Sequence, residues 1–125
     1  MDIADYYEES EYIKELKYKD FKKQSNKLIL KDKGNKIIIF YLPTCKCCKD
    51  IIKLWNDLSQ RFNYTFSFYA INCDDVTNSN DLVCSNFKLN RYPSIKYYLE
   101  KNNKIHEYDG LLNRDDLFYF LCKYM

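Results

Sequence analysis

The stretch K-I-I-I-F-Y-L-P-T-C-K-C-C-K, residues 36–49, decides the fold of this chain. Its first half, Lys36–Leu42, is rich in isoleucine and aromatic residues and lies between Gly34 and Pro43. A short apolar run with turn residues at both ends is typical of a β-strand that is buried on both faces. The sequence therefore predicts a central strand over Lys36–Leu42.

The residues after this strand have the spacing of a helix. From Lys49 onward, apolar side chains recur at intervals of three and four residues: Ile51, Ile52, Trp55, Leu58 and Phe62. Because such spacing places side chains on one face of a helix, an amphipathic helix is predicted directly after the strand. Three cysteines, Cys45, Cys47 and Cys48, therefore lie at a strand-to-helix junction.

This junction favours sulfur chemistry. The first turn of a helix has unpaired backbone N–H groups, and the aligned peptide dipoles place a partial positive charge there. Both features stabilise a thiolate, and Lys46 and Lys49 add positive charge beside the cysteines. Cys45 and Cys48 have the C-x-x-C spacing, so they can close a short disulfide and reopen it.

Length and charge exclude several classes of protein. With 125 residues the chain forms one domain with its own core, and a formal net charge of +2 suggests no nucleic-acid-binding surface. No segment has the apolar length that spans a membrane, and the first residues lack the basic start and apolar run of a secretory signal. We therefore expect a monomeric, cytoplasmic protein with no membrane contact, and a virion or an organelle stays open as an alternative location.

The chain divides into an acidic N-terminal arm, residues 1–11, and a single domain, residues 12–125. The arm is expected to be a solvated tail, because it carries acidic side chains and no basic one. The periodicity of the apolar residues and the positions of turn residues predict the elements of the domain, in the order β-α-β-α-β-α-β-β-α. Apart from the central strand and its helix, these are strands at Tyr12–Leu16, Tyr64–Asn72, Ile95–Leu99 and Lys104–Tyr108, and helices at Lys19–Leu30, Asn80–Phe87 and from Asn113 onward. A hairpin turn at residues 101–103 joins the last two strands, and the predicted architecture is an α/β fold with a central mixed sheet covered by helices on both faces.

This order of elements resembles the thioredoxin fold over nearly the whole chain. The segment Phe40–Lys49 looks like the F-Y-A-P-W-C-x-x-C-K segment of protein disulfide isomerase domains. Asp81–Phe87 and then Arg91–Lys96 look like that family's L-C-x-x-F-x-V-x-x-Y-P-T-x-K, and Tyr108–Gly110 followed by a helix matches its ending. The resemblance implies a thiol–disulfide oxidoreductase with a role in cell redox homeostasis.

The resemblance also implies roles for single residues. Cys45 would be the exposed attacking thiolate and Cys48 the buried resolving thiol. Pro93 would be a cis-proline facing the pair, and Tyr92 and Thr44 would contact substrate with it. The expected reaction is disulfide reduction in proteins, with protein thiols and disulfides as partners, a thioredoxin reductase or glutathione as electron source, and no cofactor. The opposite direction, oxidation or isomerisation, stays open.

Departures from the family pattern leave an alternative. Thr44 stands where the family has Trp, so aromatic cover of the sulfurs is expected from Tyr41 or Tyr92. Ile39 stands where the family buries an acid that takes the proton of the resolving thiol, which predicts modest turnover. The role of Arg114, which lies later than the family's arginine, is open. The alternative is a catalytically weak thioredoxin-fold binding or redox-sensing module.

The remaining sulfurs allow several interpretations. Lys46, Cys47 and Lys49 are candidate modulators of the pair, and Cys47 could offer Cys45 a second resolving partner. Three further cysteines, Cys73, Cys84 and Cys122, are expected to be small packed residues, although Cys73 and Cys84 could pair in an oxidising compartment. A metal site using these sulfurs with His106, which is expected at the surface or an edge, is not expected, since there is no second C-x-x-C and the family's cis-proline opposes it.

Overall fold

A computed structural model describes residues 5–101 and 104–125 of the chain. Its strands are β1 Ile13–Glu15, β2 Phe21–Gln24, β3 Lys27–Leu30, β4 Lys36–Tyr41, β5 Ser67–Asn72, β6 Ser94–Tyr98 and β7 Ile105–Glu107. Its helices are α1 Lys46–Asp50, α2 Ile52–Phe62, α3 Asn80–Phe87 and α4 Arg114–Cys122, and a short 3₁₀ turn covers Tyr18–Asp20. The predicted hairpin turn at residues 101–103 falls partly outside the described residues.

The central strand β4 organises a five-stranded sheet in the order β1-β5-β4-β6-β7. It pairs in parallel with β5 and antiparallel with β6, so the sheet is mixed. All six residues of β4 are buried, which explains why this strand has no polar face. The predicted fold class, an α/β thioredoxin fold with a central mixed sheet, is confirmed.

Alternate residues of β4 face two separate cores. Ile37, Ile39 and Tyr41 face one core, which α2 and α4 cover with Trp55, Leu58, Phe62, Leu117 and Leu121. Ile38 and Phe40 face the other core, which contains Phe21, Leu28, Leu30 and Val83 from the β2–β3 hairpin and α3. Because side chains alternate along a strand, each side of the sheet needs its own cover.

The predicted helix over Lys19–Leu30 is wrong, because this region folds as the antiparallel hairpin β2–β3. Phe21 pairs with Leu30 across the hairpin, and Ser25 at the turn adopts a positive φ of 55°. Leu28 and Leu30 are buried, whereas the residues of β2 after Phe21 are exposed. The two-residue spacing of Leu28 and Leu30 is a strand signal, and it outweighs the seven-residue spacing of Phe21 and Leu28 that suggested a helix.

The N-terminal arm is not a solvated tail where the structure describes it. Tyr7 is only 1% exposed and belongs to the core on the α2 side of the sheet. Asp5 accepts hydrogen bonds from Lys17 at 2.6 Å and from Asn72 at 3.1 Å, and Lys17 also reaches Asp75 at 2.8 Å. Apolar packing and a shared cation therefore hold this segment against the sheet.

The cysteine-bearing helix and the last helix lie where they were expected. The first is divided at Ile51 into α1 and α2. The last begins after Asn113, whose side chain accepts a hydrogen bond from the backbone N–H of Asp116 at 2.9 Å and so caps α4. Within the described ranges, the helices are all too short or too polar to cross a membrane.

Candidate active site

Cys45 lies at the exit of the central strand. After β4 ends at Tyr41, the chain turns back so that the Cys45 N–H donates to the Leu42 carbonyl at 3.0 Å. The Cys45 carbonyl then accepts from the Lys49 N–H at 3.2 Å and starts α1. Cys45 is half-buried, so part of this residue stays exposed.

Cys48 lies one helical turn further on and is fully buried. The pKa of its thiol is raised to about 12, mainly because the thiol is buried. A hydrogen bond from the Leu42 backbone has the opposite effect and lowers the pKa. The hydrogen bond with Cys45 and the nearby charges of Cys45 and Cys47 raise the pKa further. The two cysteines of the motif are therefore unequal, since one is accessible and the other is a protonated, buried thiol at neutral pH.

Pro93 and Tyr92 meet Cys45 although they lie almost fifty residues later. The Tyr92–Pro93 peptide bond is cis, as the family resemblance implied. The thiol of Cys45 donates a weak hydrogen bond to the Tyr92 carbonyl, with 3.7 Å between sulfur and oxygen. Pro93 is buried, and Tyr92 is half-buried. A backbone acceptor therefore lies within reach of whatever is bonded to the sulfur.

The other predicted site residues are all exposed. Thr44 precedes Cys45, and Cys47 follows it on the outer surface of α1. The Lys46 side chain pairs with Asp50 at 3.4 Å, at the surface. Lys49 is likewise exposed. These residues lie around the sulfur pair, and their effect on its chemistry stays a prediction.

Aromatic cover near the pair comes partly from a residue that sequence reasoning missed. Tyr6 stacks on Tyr41 with ring centroids 4.4 Å apart, and its hydroxyl donates to the carbonyls of Leu42 and Pro43. Burial raises the pKa of Tyr6, and the nearby Cys48 and Cys45 raise it further. Tyr41 itself is only 1% exposed, so Tyr6 stacks on a buried ring. No periodic pattern in residues 1–11 indicated this contact.

A half-buried carboxyl group, that of Glu15 on β1, is hydrogen-bonded to Tyr41 at the end of β4, and it comes from a different strand than the family pattern suggests. Ile39 is fully buried between Ala70 and Ile95. Glu15 on β1 accepts hydrogen bonds from the Tyr41 hydroxyl at 2.7 Å and from the Tyr7 N–H at 2.9 Å. Burial raises the pKa of Glu15 to about 7.

Its inward position was readable from the alternation of Ile13 and Glu15 along a predicted strand. Two residues apart on a strand, both side chains point to the same face, and Ile13 belongs to the core that contains Cys48. The inward position of Glu15 was not predicted, because an acidic residue is not expected to face an apolar core.

The raised pKa of Glu15 predicts a pH-dependent stability. Its pKa is about 7 in the folded chain against an ordinary 4.5, so the folded state holds the proton more tightly than the unfolded state does. This contribution is complete below about pH 4.5 and is lost as the pH rises through about 7. We therefore compare the free energy of unfolding of the Glu15→Gln variant with that of the unchanged chain. This difference should increase in favour of the variant by about 2 kcal/mol from pH 5 to pH 8, as measured by urea unfolding.

The control for this experiment is Glu11→Gln, which removes an exposed carboxyl from the same segment. The free energy of unfolding of this control should differ from that of the unchanged chain by the same amount at pH 5 and at pH 8. A Glu15→Gln difference that does not change with pH would contradict a half-buried, titrating Glu15.

Cys73 and Cys84 are joined in a disulfide, with their Cα atoms 5.8 Å apart. The interpretation of these two as unpaired packed residues is therefore wrong, and the alternative of a second disulfide is the one found. The bond links the end of β5 to α3. Cys122 on α4 is free and half-buried.

Two further candidates lie in structural positions. Arg114 pairs with Asp57 of α2 at 3.0 Å, which links α4 to α2. His106 on β7 stacks on Tyr97 with ring centroids 5.1 Å apart. In the described part of the chain, no three side chains of His, Cys, Asp or Glu converge in a way that could hold a metal ion.

Comparison with known proteins agrees with this arrangement. The family model described as Thioredoxin matches residues 13–123. A mitochondrial thioredoxin domain-containing protein of Schizosaccharomyces pombe is 30% identical over 82 residues, which are 66% of this chain and 21% of that protein. The protein disulfide-isomerase of Drosophila melanogaster is 24% identical over 91 residues, which are 72% of this chain and 18% of that protein.

Among solved structures, the J-Trx1 fragment of ERdj5 superimposes with a TM-score of 0.72 at 19% identity. The superposition covers 94% of this chain and 54% of that fragment. At this identity the likeness concerns the fold. The chain spans about a fifth of the length of the curated relatives named above.

Proposed function

The chain belongs to the thioredoxin family, and on that premise we propose that it is a thiol–disulfide oxidoreductase that exchanges disulfides with protein substrates through Cys45 and Cys48. The observation that carries this proposal is the inequality of the two sulfurs. Cys45 is accessible and Cys48 is fully buried one turn away. Such a pair can react with an external sulfur at one end and close internally at the other.

The reaction proceeds in two displacements. The Cys45 thiolate attacks one sulfur of a substrate disulfide, and the other substrate sulfur leaves with the bonding electrons and takes a proton. Cys48 then attacks Cys45, the mixed disulfide breaks, and the second substrate thiol is released. The substrate gains two electrons and the Cys45–Cys48 pair loses them, so a dithiol reductant or glutathione must restore the pair.

Substrate binding is assigned to the backbone beside Cys45. The Tyr92 carbonyl already accepts a hydrogen bond from the Cys45 sulfur, so an extended peptide bonded to that sulfur would lie along Tyr92 and Pro93. Thr44 lies on the exposed side of the same place. Lys46, Cys47 and Lys49 surround the sulfur and are proposed as modulators of its reactivity.

The location of the protein is part of the proposal. The cytoplasm was the first expectation, and it stays a prediction. The Cys73–Cys84 disulfide favours an oxidising compartment instead, because cytosolic thiols are kept reduced.

The first test is reduction of insulin disulfides with dithiothreitol as electron source. Replacing Cys45 by serine should reduce turnover to the rate of dithiothreitol alone, because this change removes the attacking sulfur. The matched control is Cys122→Ser, which removes a free, half-buried cysteine on α4 and should keep the activity. Full activity of the Cys45→Ser variant would exclude the assignment.

The second candidate function is a catalytically weak binding or redox-sensing module. Two observations favour it, namely the apolar Ile39 beneath the pair and the high pKa of Cys48. Equilibration of the pair with glutathione buffers separates the two functions. A pair that does not exchange with glutathione at all would favour the binding module, whereas a defined reduction potential would favour the oxidoreductase.

A further inference from the structure

Tyr6 lies outside the part of the chain that matches the family, yet it contacts the loop before the sulfur pair. The family model covers residues 13–123, so the described segment that begins at Asp5 lies ahead of the matched region. Tyr6 packs against the core cluster that contains Cys48, and Cys45 packs against the same cluster. A segment that lies beside the reactive groups without belonging to the shared domain is a candidate for a function of its own.

Two contacts with Tyr41 fix the position of the Tyr6 ring. The two rings stack with their centroids 4.4 Å apart and their planes 15° from parallel. The Tyr6 backbone N–H also donates to the Tyr41 hydroxyl at 3.0 Å. Because Tyr41 is the last residue of β4 and is buried, Tyr6 stacks on a rigid part of the central strand. The phenol of Tyr6 therefore has a defined direction.

The Tyr6 hydroxyl is directed at the two residues that follow β4. It donates to the carbonyl of Pro43, and the carbonyl of Leu42 lies 3.5 Å from it. Because a phenol has one proton to donate, the two carbonyls share it. These contacts join the N-terminal segment to the loop that leads to Cys45 and hold that loop in one position.

The backbone of Leu42 in turn contacts both cysteines. Its carbonyl accepts from the Cys45 N–H at 3.0 Å, and its backbone donates a hydrogen bond to the Cys48 sulfur. Burial raises the pKa of Cys48, and this hydrogen bond lowers it, because a donor stabilises the ionised form of the thiol. The position of Leu42 therefore affects how readily Cys48 becomes the thiolate that attacks Cys45.

Building on the proposed function, we propose that the Tyr6 hydroxyl holds the Leu42 backbone in the position from which it stabilises the Cys48 thiolate, and so speeds the attack of Cys48 on Cys45. Tyr6 acts through backbone groups, so it is a positioning residue rather than a catalytic one. Its ring fixes where the hydroxyl lies, and the hydroxyl contacts the loop. The two parts of the side chain can therefore be separated by mutation.

The step that Tyr6 assists is the second displacement. The Cys48 S–H bond breaks, and its proton is lost to solvent. The electron pair left on the Cys48 sulfur forms the bond to Cys45, and the bond between Cys45 and the substrate sulfur breaks. The substrate sulfur leaves with that bonding pair and takes a proton from solvent, so Cys45 and Cys48 end as a disulfide.

The titratable groups that face Cys48 leave the Leu42 hydrogen bond as its main support. Cys45 and Cys47, on the same short helix, raise the pKa of Cys48. Three phenols also face it, since the charge of Cys48 raises the pKa of each, namely Tyr6, Tyr7 and Tyr92. None of these groups is a cation. Among these neighbours, the donor that favours the Cys48 thiolate is therefore the backbone that Tyr6 holds.

The test separates the two displacements in a single turnover. The reduced chain, with Cys47→Ser and Cys122→Ser present throughout, is mixed with one equivalent of the aromatic disulfide DTNB and followed by stopped flow. The first coloured thiolate reports attack by Cys45, and the second reports attack by Cys48. Rates are collected from about pH 6 to about pH 8, where the buried thiol is mainly protonated.

In the Tyr6→Phe variant we expect the second phase to be slowed about fivefold, with the first phase unchanged, because one hydrogen bond is lost. Phenylalanine keeps the ring that stacks on Tyr41, so the change reports the hydroxyl alone. The slowing should be the same at each pH, because the thiolate fraction of Cys48 is small throughout and falls by one factor when the pKa rises. The Tyr6→Leu variant, which also lacks the ring, should be slowed at least as much.

The control is Tyr64→Phe, which removes the hydroxyl of a side chain that is 98% exposed and should leave both phases unchanged. A Tyr6 that only covers the sulfurs would give a Tyr6→Phe variant like the parent, with slowing in Tyr6→Leu alone. An unchanged or faster second phase in Tyr6→Phe therefore overturns the proposal, and so does an equal slowing of both phases, which would reflect displacement of the whole loop. Absence of the first phase in the parent chain would instead contradict the proposed function.

Discussion

Replacement of Cys48 by serine is expected to stop turnover and to leave Cys45 joined to its substrate in a stable mixed disulfide. The reason is that Cys48 lies buried one turn from Cys45 and is hydrogen-bonded to it, so it is placed to attack that sulfur. Serine has nearly the same volume, so the core around residue 48 keeps its packing. Non-reducing electrophoresis and mass spectrometry of the adduct measure the trapped species.

The matched variant for this experiment is Cys47→Ser. Cys47 is exposed on the same short helix, so it tests whether a neighbouring sulfur can resolve the adduct. We expect Cys47→Ser to release its substrate at nearly the parental rate. Trapping by Cys47→Ser together with normal release by Cys48→Ser would transfer the resolving role to Cys47.

Removal of the Cys73–Cys84 disulfide is expected to lower the free energy of unfolding by about 3 kcal/mol. The bond closes a loop between residues 11 positions apart. This loop carries Asp75, which pairs with Lys17, and it leads into Asn80, which donates to the carbonyls of Leu16 and Asn72. The variant in which both cysteines are alanine, compared with the parent chain by urea unfolding, measures the effect.

The parent chain is its own second control in this measurement. With Cys45 and Cys48 in the reduced form that the structure shows, dithiothreitol should destabilise the parent and leave the double-alanine variant unaffected, because only the parent then has a disulfide to lose. If reductant changes neither protein, the two cysteines are not paired in solution. A loss in the variant without any effect of reductant would reflect packing of the two buried side chains alone.

Much of the fold followed from local patterns. The apolar run Lys36–Leu42 indicated a strand buried on both faces, and all residues of β4, Lys36–Tyr41, are buried. The spacing from Ile51 to Phe62 indicated an amphipathic helix, and α2 buries Trp55, Leu58 and Phe62. These predictions succeeded because the hydrophobic pattern continues over six or more residues, so that many buried positions indicate the same type of element.

The errors arose where a short pattern is ambiguous or a contact is not local. In Lys19–Leu30 only three large apolar residues mark the buried face, and their spacing fits a helix and a hairpin alike. Tyr6 and Tyr7 lie in a segment whose acidic composition suggested a solvated tail, although aromatic side chains bury large surfaces once a partner is present. That partner, Tyr41, is more than thirty residues away, so no local window contains the contact.

The candidate site divides in the same way. Cys45, Cys48 and Pro93 were proposed as site residues from spacing and resemblance, and the structure brings the Tyr92 carbonyl to the Cys45 sulfur. Glu15 was not singled out, because its hydrogen bond to Tyr41 depends on the pairing of β1 with β5, which places β1 one strand away from β4. A side chain that belongs to a site only through sheet order is not visible in a linear motif.

The docking of Tyr6 has a practical consequence for how this protein is handled. Its hydroxyl is bonded to the carbonyls of Leu42 and Pro43, directly before the sulfur pair, and Asp5 is held by Lys17. The described segment that begins at Asp5 is therefore anchored directly before the sulfur pair. Any change to Tyr6 would alter the aromatic cover of the sulfur pair, so this side chain should be kept unchanged in every activity measurement that tests another residue.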